Sequence, residues 1–90
     1  MLSLSAEDIV TRVNRILVGE FEVDPSAIRF DSLLGEDLGL DSLDGVDLVV
    51  ALEKTFHCRI SEKEAREIET VGQTYNHISS LLESAEPGGA

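Results

Sequence analysis

Asp41-Ser42-Leu43-Asp44-Gly45-Val46-Asp47-Leu48-Val49-Val50-Ala51-Leu52-Glu53-Lys54-Thr55-Phe56 is the stretch that decides how this chain folds. Its apolar residues recur at helical spacing, and Leu48, Val49, Leu52 and Phe56 fall on one stripe. The pattern predicts a helix from about Ser42 to Phe56, packed through that stripe against a core. Leu43, Val46 and Val50 form a second row at i, i+3, i+7. On periodicity alone, that row reads as a wider buried face rather than a docking patch. Gly45 is out of place in a helix interior, where it is roughly 1 kcal/mol less favourable than Ala. It leaves room beside Ser42.

Immediately upstream lies a Gly-rich acidic loop, Gly35-Glu36-Asp37-Leu38-Gly39-Leu40. Ser42 therefore stands where a loop meets a helix N-terminus. Unpaired backbone N–H groups and the positive end of the helix dipole favour an anion such as phosphate there. Ser is also an ordinary N-cap, and Asp an ordinary first-turn residue. The tripeptide itself recurs as Asp31-Ser32-Leu33. Context separates the two. Ser42 is followed by several turns of periodic apolar sequence, whereas Ser32 runs into Leu34-Gly35, and Gly disrupts a helix within a turn.

Working outward, the first helix should begin at Ser5, where Ser5 and Asp8 have capping-box spacing. Ile9, Val13, Ile16 and Leu17 give it one apolar stripe, with Val10 beside it, and Gly19 should end or fray it. Asp24-Pro25-Ser26 marks a turn leading into a short helical piece. Ile28, Phe30, Leu33 and Leu34 should pin to the core a loop running from about residue 20 to 41. A connection that long in a compact domain is functional or partly helical. Ser61 with Glu64 opens a short third helix through about Ile68. Thr70 with Gln73 opens a last one, whose stripe is Val71, Tyr75, Ile78 and Leu82. No strand alternation or internal repeat is evident.

Ninety residues suit one domain, expected over residues 1–90 with its core at about 5–82 and a frayed tail at 85–90. The fold class expected is all-α: a four-helix bundle with a short third helix and a long loop between helices 1 and 2. Three Phe, one Tyr and no Trp leave the core to Leu, Ile and Val. A formal net charge of −11 argues against nucleic acid and against an anionic membrane surface, and points to basic protein partners. Cys58 is the only cysteine, so no intramolecular disulfide forms. No apolar run is long enough to span a bilayer, and no signal peptide is evident, so the expectation is a cytoplasmic monomer without membrane insertion.

Catalysis finds little support. A serine nucleophile needs a base within hydrogen-bond reach. His57 lies at the far end of the same helix, roughly 22 Å from Ser42. His77 sits on another helix, and no G-x-S-x-G elbow surrounds Ser42. No register of the acidic segment satisfies a calcium loop, and His57-Cys58 lacks zinc-ligand spacing, so no metal is expected.

Asp37-Leu38-Gly39-Leu40-Asp41-Ser42-Leu43 resembles the acyl carrier protein signature D-L-G-x-D-S-L. Val46 to Glu53 with Phe56 resembles that family's second helix, Ile60 to Ala65 its third, and Ile68 with Thr70-Val71 the approach to its fourth. The resemblance covers about residues 5 to 82. It implies a four-helix bundle in which a phosphopantetheinyl transferase moves 4′-phosphopantetheine from coenzyme A onto Ser42. The thiol of that group would carry acyl chains as thioesters, sheltered between helices, for acyl-loading and acyl-processing enzymes of fatty acid, lipid or polyketide biosynthesis. It also implies that the second helix docks on basic patches of those enzymes through Asp41, Asp44, Asp47 and Glu53, with Leu43, Val46 and Val50 as apolar contacts. Lys54 and Gly45 stand where the family more often has an acidic and a non-Gly residue, and the loop at Leu33 to Asp37 is one residue longer. These departures point to a specialised carrier. Gly39-Leu40, rather than Gly-Gly, points to the acyl rather than the peptidyl branch. Two alternatives stay open: an unmodified acidic helical module that only binds partners, and a small hydrolase that uses Ser42.

Overall fold

The computed structural model describes residues 5–84. Four helices appear in the order α1 (Ala6–Phe21), α2 (Ser42–Phe56), α3 (Glu62–Glu67) and α4 (Val71–Ser84), with a single 3-10 turn at Pro25–Ala27. Among the described residues the only β-type pairing is an isolated antiparallel bridge between Leu33 and Thr70. The all-α four-helix architecture with a short third helix is as the sequence predicts. The expected tail at 85–90 lies outside the described residues.

Capping boxes start the helices where their spacing placed them. The Ser5 Oγ accepts from the Asp8 N–H and the Asp8 carboxylate accepts from the Ser5 N–H, each at 3.2 Å. Ser61 and Glu64 form the same pair for α3. At α4, the Thr70 Oγ1 accepts from the Gln73 N–H at 3.0 Å. The Gln73 Oε1 accepts from the N–H groups of both Glu69 and Thr70. Each box satisfies first-turn donors that the helix itself cannot.

The core is aliphatic. Ile9, Val13, Ile16 and Leu17 of α1 meet Leu48, Ala51, Leu52 and Phe56 of α2 and Ile78 of α4. Val23 and Ile60, which stand outside the predicted stripes, complete it from the connections. Val49, Tyr75 and Leu82 pack on its margin. The Tyr75 hydroxyl donates to the Asn14 side chain, tying α4 to α1.

Two expectations are corrected. Gly19 does not end α1, which runs on to Phe21 and stops where Glu22 turns left-handed (φ 56°) and the Val23 N–H closes on the Leu17 carbonyl at 3.0 Å. A helix with four buried side chains tolerates one glycine, whose penalty is only about 1 kcal/mol. Phe30 does not enter the core. It is 63% exposed, and its ring lies over Gly72 with Tyr75 beside it, at a centroid distance of 6.3 Å. Ile28 and Leu34 do pack on the core.

The long connection is held mainly by backbone. The N–H groups of Val71 and Gly72, in the first turn of α4, donate to the carbonyls of Ser32 and Phe30 at 3.0 and 2.7 Å. The Leu34 N–H donates to the Glu69 carbonyl at 2.9 Å. The Asp37 carboxylate accepts from the Leu33 N–H at 2.7 Å. These bonds deliver the loop to the start of α2.

Candidate functional site

Asp41, not Ser42, caps α2. Its Oδ1 accepts from the Asp44 N–H at 2.8 Å, and the Asp44 carboxylate accepts from the Asp41 N–H at 3.2 Å. The reading of Ser42 as an ordinary N-cap is therefore overturned. Asp41-x-x-Asp44 has the same spacing as Ser5-x-x-Asp8, so the sequence carried the signal. Ser42 becomes the first helical residue, exposed to solvent, and its hydroxyl is not consumed by capping. The N–H groups of Ser42 and Leu43 belong to the first turn and have no intrahelical acceptor.

Ser32, in the other Asp-Ser-Leu, is 5% exposed. Its Oγ donates to the Ala27 carbonyl at 2.7 Å and accepts from the Arg29 N–H at 3.0 Å. That hydroxyl closes the loop internally.

Two clefts adjoin Ser42. The larger, of about 660 Å³, runs between α2 and α3 and is lined chiefly by apolar side chains, among them Val49, Leu52, Ile60, Ala65 and Ile68. The smaller, of about 480 Å³, opens toward the loop and the α3–α4 junction, with Leu33, Gly35, Glu36, Leu40 and Glu69. Leu34, Ser42, Gly45, Leu48 and Ile68 border both. Neither histidine lines either cleft. His77 instead directs its Nε2 at the Glu64 carboxylate, 3.6 Å away.

The outer face of α2 bears Leu43, Val46 and Val50, which are 75, 61 and 42% exposed. Burial of this row, which periodicity favoured, is overturned. The core side of α2 is already filled by Leu48, Ala51, Leu52 and Phe56, and although Val46 and Val50 also line the α2–α3 cleft, α3 leaves all three residues of the row exposed. Asp47 is exposed on the same helix. Glu53 is only partly exposed, and its carboxylate accepts from the Ile60 N–H at 2.7 Å, bracing the α2–α3 connection. Sequence reasoning missed this bond, because a contact spanning seven residues across a left-handed cap at His57 leaves no local spacing signal.

A family profile described as "Phosphopantetheine attachment site" matches residues 3–78. Two relatives are similar over most of their length: the acyl carrier proteins of Campylobacter curvus (strain 525.92) and Campylobacter concisus (strain 13826). Each is 41% identical over 69 residues, which make up 77% of this chain and 90% of the relative. The chain belongs to the acyl carrier protein family. As an acyl carrier it is a carrier of phosphopantetheine rather than a catalyst, and it interacts with modifying and acyl-processing enzymes. Among the described residues, no helix of this acyl carrier is long and apolar enough to cross a membrane.

Proposed function

We propose that Ser42 is the residue that bears the 4′-phosphopantetheine, and that the α2–α3 cleft shelters the acyl chain. One observation carries the reading. Of the two serines in Asp-Ser-Leu, only Ser42 presents a free hydroxyl at a helix N-terminus beside an apolar cleft, while Ser32 is buried and doubly hydrogen-bonded. The residues fit the group. The uncapped N–H groups of Ser42 and Leu43, at the positive end of α2, favour the negative charge of a phosphodiester. Removing a long alkyl chain from water into a cleft of Leu, Val, Ile and Ala side chains is favourable by about 0.8 kcal/mol for each buried CH₂.

On transfer from coenzyme A, a bond forms between the Ser42 oxygen and the phosphorus that carries the pantetheine. The pyrophosphate P–O bond breaks, adenosine 3′,5′-bisphosphate leaves, and the serine proton passes to the transferase. Once attached, the group supplies a terminal thiol that holds an acyl chain as a thioester. The chain's own residues orient the attachment point and exclude water.

Partner enzymes dock on α2, drawn by Asp47 and by the general negative charge and held by Leu43, Val46 and Val50. Asp41 and Asp44 add charge to this face while capping the helix, and Glu53 contributes charge from its bracing position. The working compartment is the cytoplasm, and the processing enzymes belong to a fatty acid, lipid or polyketide pathway.

The test is intact mass after incubation with coenzyme A and a phosphopantetheinyl transferase. Wild type and Ser32→Ala should gain one phosphopantetheine, and Ser42→Ala none. A modified Ser42→Ala overturns the assignment. An unmodified wild type would favour the module that only binds partners.

A further inference from the structure

α3 has six residues, Glu62–Glu67, and none of them is buried. Its one apolar residue, Ala65, packs on the core while partly exposed. A helix of that length is not stable on its own in water, and so little apolar surface does not fix where it lies. Its position is therefore set at its two ends. At the C-terminal end, the Glu69 carbonyl accepts from the Leu34 N–H at 2.9 Å and ties the chain to the long loop. Midway, the Glu64 carboxylate faces His77 Nε2 at 3.6 Å, which is too far for a hydrogen bond.

The N-terminal end depends on Glu53. This residue stands in the last turn of α2, just before the left-handed turn at His57. Its carbonyl accepts from the Cys58 N–H at 3.2 Å, and its carboxylate accepts from the Ile60 N–H at 2.7 Å. Ile60 is buried, so an N–H left there without an acceptor would be unfavourable. One side chain thus joins α2 directly to the residue that anchors the start of α3 in the core.

That anchor belongs to the larger cleft at Ser42. Ile60, Ser61, Ala65 and Ile68 bound the cleft on the α3 side, and residues between Ser42 and Leu52 bound it on the α2 side. Glu53 itself does not line the cleft, so it acts there through Ile60. The separation of the two sides is set where the chain crosses from α2 to α3, and the bond from Glu53 to Ile60 spans that crossing. What the bond needs is an acceptor at that distance. A carboxylate and a primary amide of the same length both offer one, whereas a carboxylate one methylene shorter does not reach from the same backbone position.

We propose that Glu53 is a positioning residue for acyl sheltering: its carboxylate holds the Ile60 N–H, and through it the α3 side of the cleft, by reach rather than by charge. The proposal rests on the reading that the α2–α3 cleft shelters the acyl chain. It gives Glu53 a task separate from the charge it adds to the docking face. Without the bond, the start of α3 is free to move away from α2, and the apolar contact that an acyl chain gains between them is weakened.

The experiment compares wild type, Glu53→Gln and Glu53→Asp, each as the thiol form and loaded with octanoyl-phosphopantetheine from the coenzyme A thioester. Gln keeps the reach and removes the charge, and Asp keeps the charge and shortens the reach. Neither change removes a buried apolar side chain, so both variants keep the core. The thermal midpoint of each octanoyl form is compared with that of its own thiol form, and hydrogen exchange is followed at the amides of residues 60–68. In wild type and Glu53→Gln, the octanoyl group should raise the midpoint by roughly 4 °C or more and slow exchange along α3. In Glu53→Asp that rise should fall by at least about half, and the Ile60 amide should exchange roughly fivefold faster or more in both forms. A brace that serves stability alone would lower both midpoints of Glu53→Asp together and leave the rise intact, which overturns the proposal. Loss of the rise in Glu53→Gln overturns it as well, because reach would then not suffice. A wild type without any rise shows that the cleft does not shelter acyl chains, and the proposal fails together with the reading beneath it.

Discussion

Leu52→Ala is the substitution whose outcome the structure constrains most closely. Leu52 is 0% exposed and sits where α2 meets the rest of the core. Fully burying a leucine side chain contributes about 1.5–3 kcal/mol through removal of apolar surface from water. A leucine-to-alanine change in a core destabilises by roughly 2–5 kcal/mol in all, the upper part of that range reflecting a cavity that cannot collapse. Leu52 also lines the α2–α3 cleft, so the vacated space opens onto a cleft that already admits solvent. The cavity contribution is then small, and the loss should lie near the lower end, about 2–3 kcal/mol. Leu17 is equally buried but borders neither of the clefts at Ser42, so Leu17→Ala should be the more damaging of the two. For a domain of this size the Leu52→Ala loss corresponds to a fall in thermal midpoint of roughly 10–20 °C. Urea unfolding followed by far-ultraviolet circular dichroism measures it, with an unchanged slope as the check on two-state behaviour. A loss below about 0.5 kcal/mol would place Leu52 on the surface and refute the packing described here. A Leu52→Ala loss exceeding that of Leu17→Ala would refute the argument from the cleft.

Asp47→Lys should slow association with a transferase or synthase and flatten its salt dependence, while Val50→Ala should act mainly by speeding dissociation. Stopped-flow binding across a salt series separates the two, and salt-independent association would show that the acidic face is only a solvated surface. A further prediction concerns pH. The Ser61 N–H, then the Ser61 hydroxyl and His77, hold the Glu64 carboxyl below its ordinary value of 4.5. A depressed carboxyl stabilises the fold above its unfolded value, and that contribution is lost as pH falls through the folded one. Glu64→Gln should therefore narrow its stability gap to wild type as the solution is acidified below about pH 4.5, as followed by urea midpoints, and a constant gap would contradict the cap. The thiol of Cys58 is pushed up by burial and then by Glu53 and Glu64, so it should alkylate more slowly than a free cysteine at neutral pH and approach that rate only after unfolding. Reaction at the free-cysteine rate in the folded protein would show that the site is open. Finally, a Cβ on Gly72 would lie 2.6 Å from the exposed ring of Phe30. Gly72→Ala should destabilise wild type by more than it destabilises a Phe30→Ala background, where the contact with the ring is gone. Equal effects in both backgrounds would show that the ring does not rest there.

Much of the fold was legible from spacing alone, because the signals that start helices are local. Ser5 with Asp8, Ser61 with Glu64 and Thr70 with Gln73 each pair a side chain with a backbone N–H three residues away, and such bonds form wherever the chain turns helical. The periodic stripe of α2 likewise placed Leu48, Leu52 and Phe56 in the core, but it left out Ala51, which is buried with them, and took in Val49, which is only partly buried. Exposure on the other side of α2 could not be read this way. Leu43, Val46 and Val50 have the same helical spacing as buried residues, and only the arrangement of the other helices among the described residues leaves them exposed. The difference between Ser32 and Ser42 is of the same kind. Both occur in Asp-Ser-Leu, but loop closure against the first turn of α4 buries one hydroxyl, and the capping of α2 by Asp41 frees the other. Phe30 was misread because an apolar side chain records only a preference for burial, and its ring found the flat surface over Gly72 instead of the core. Local sequence determined where helices begin and which stripe they bury. Tertiary structure decided which surfaces remain open, because exposure depends on neighbours that are distant along the chain.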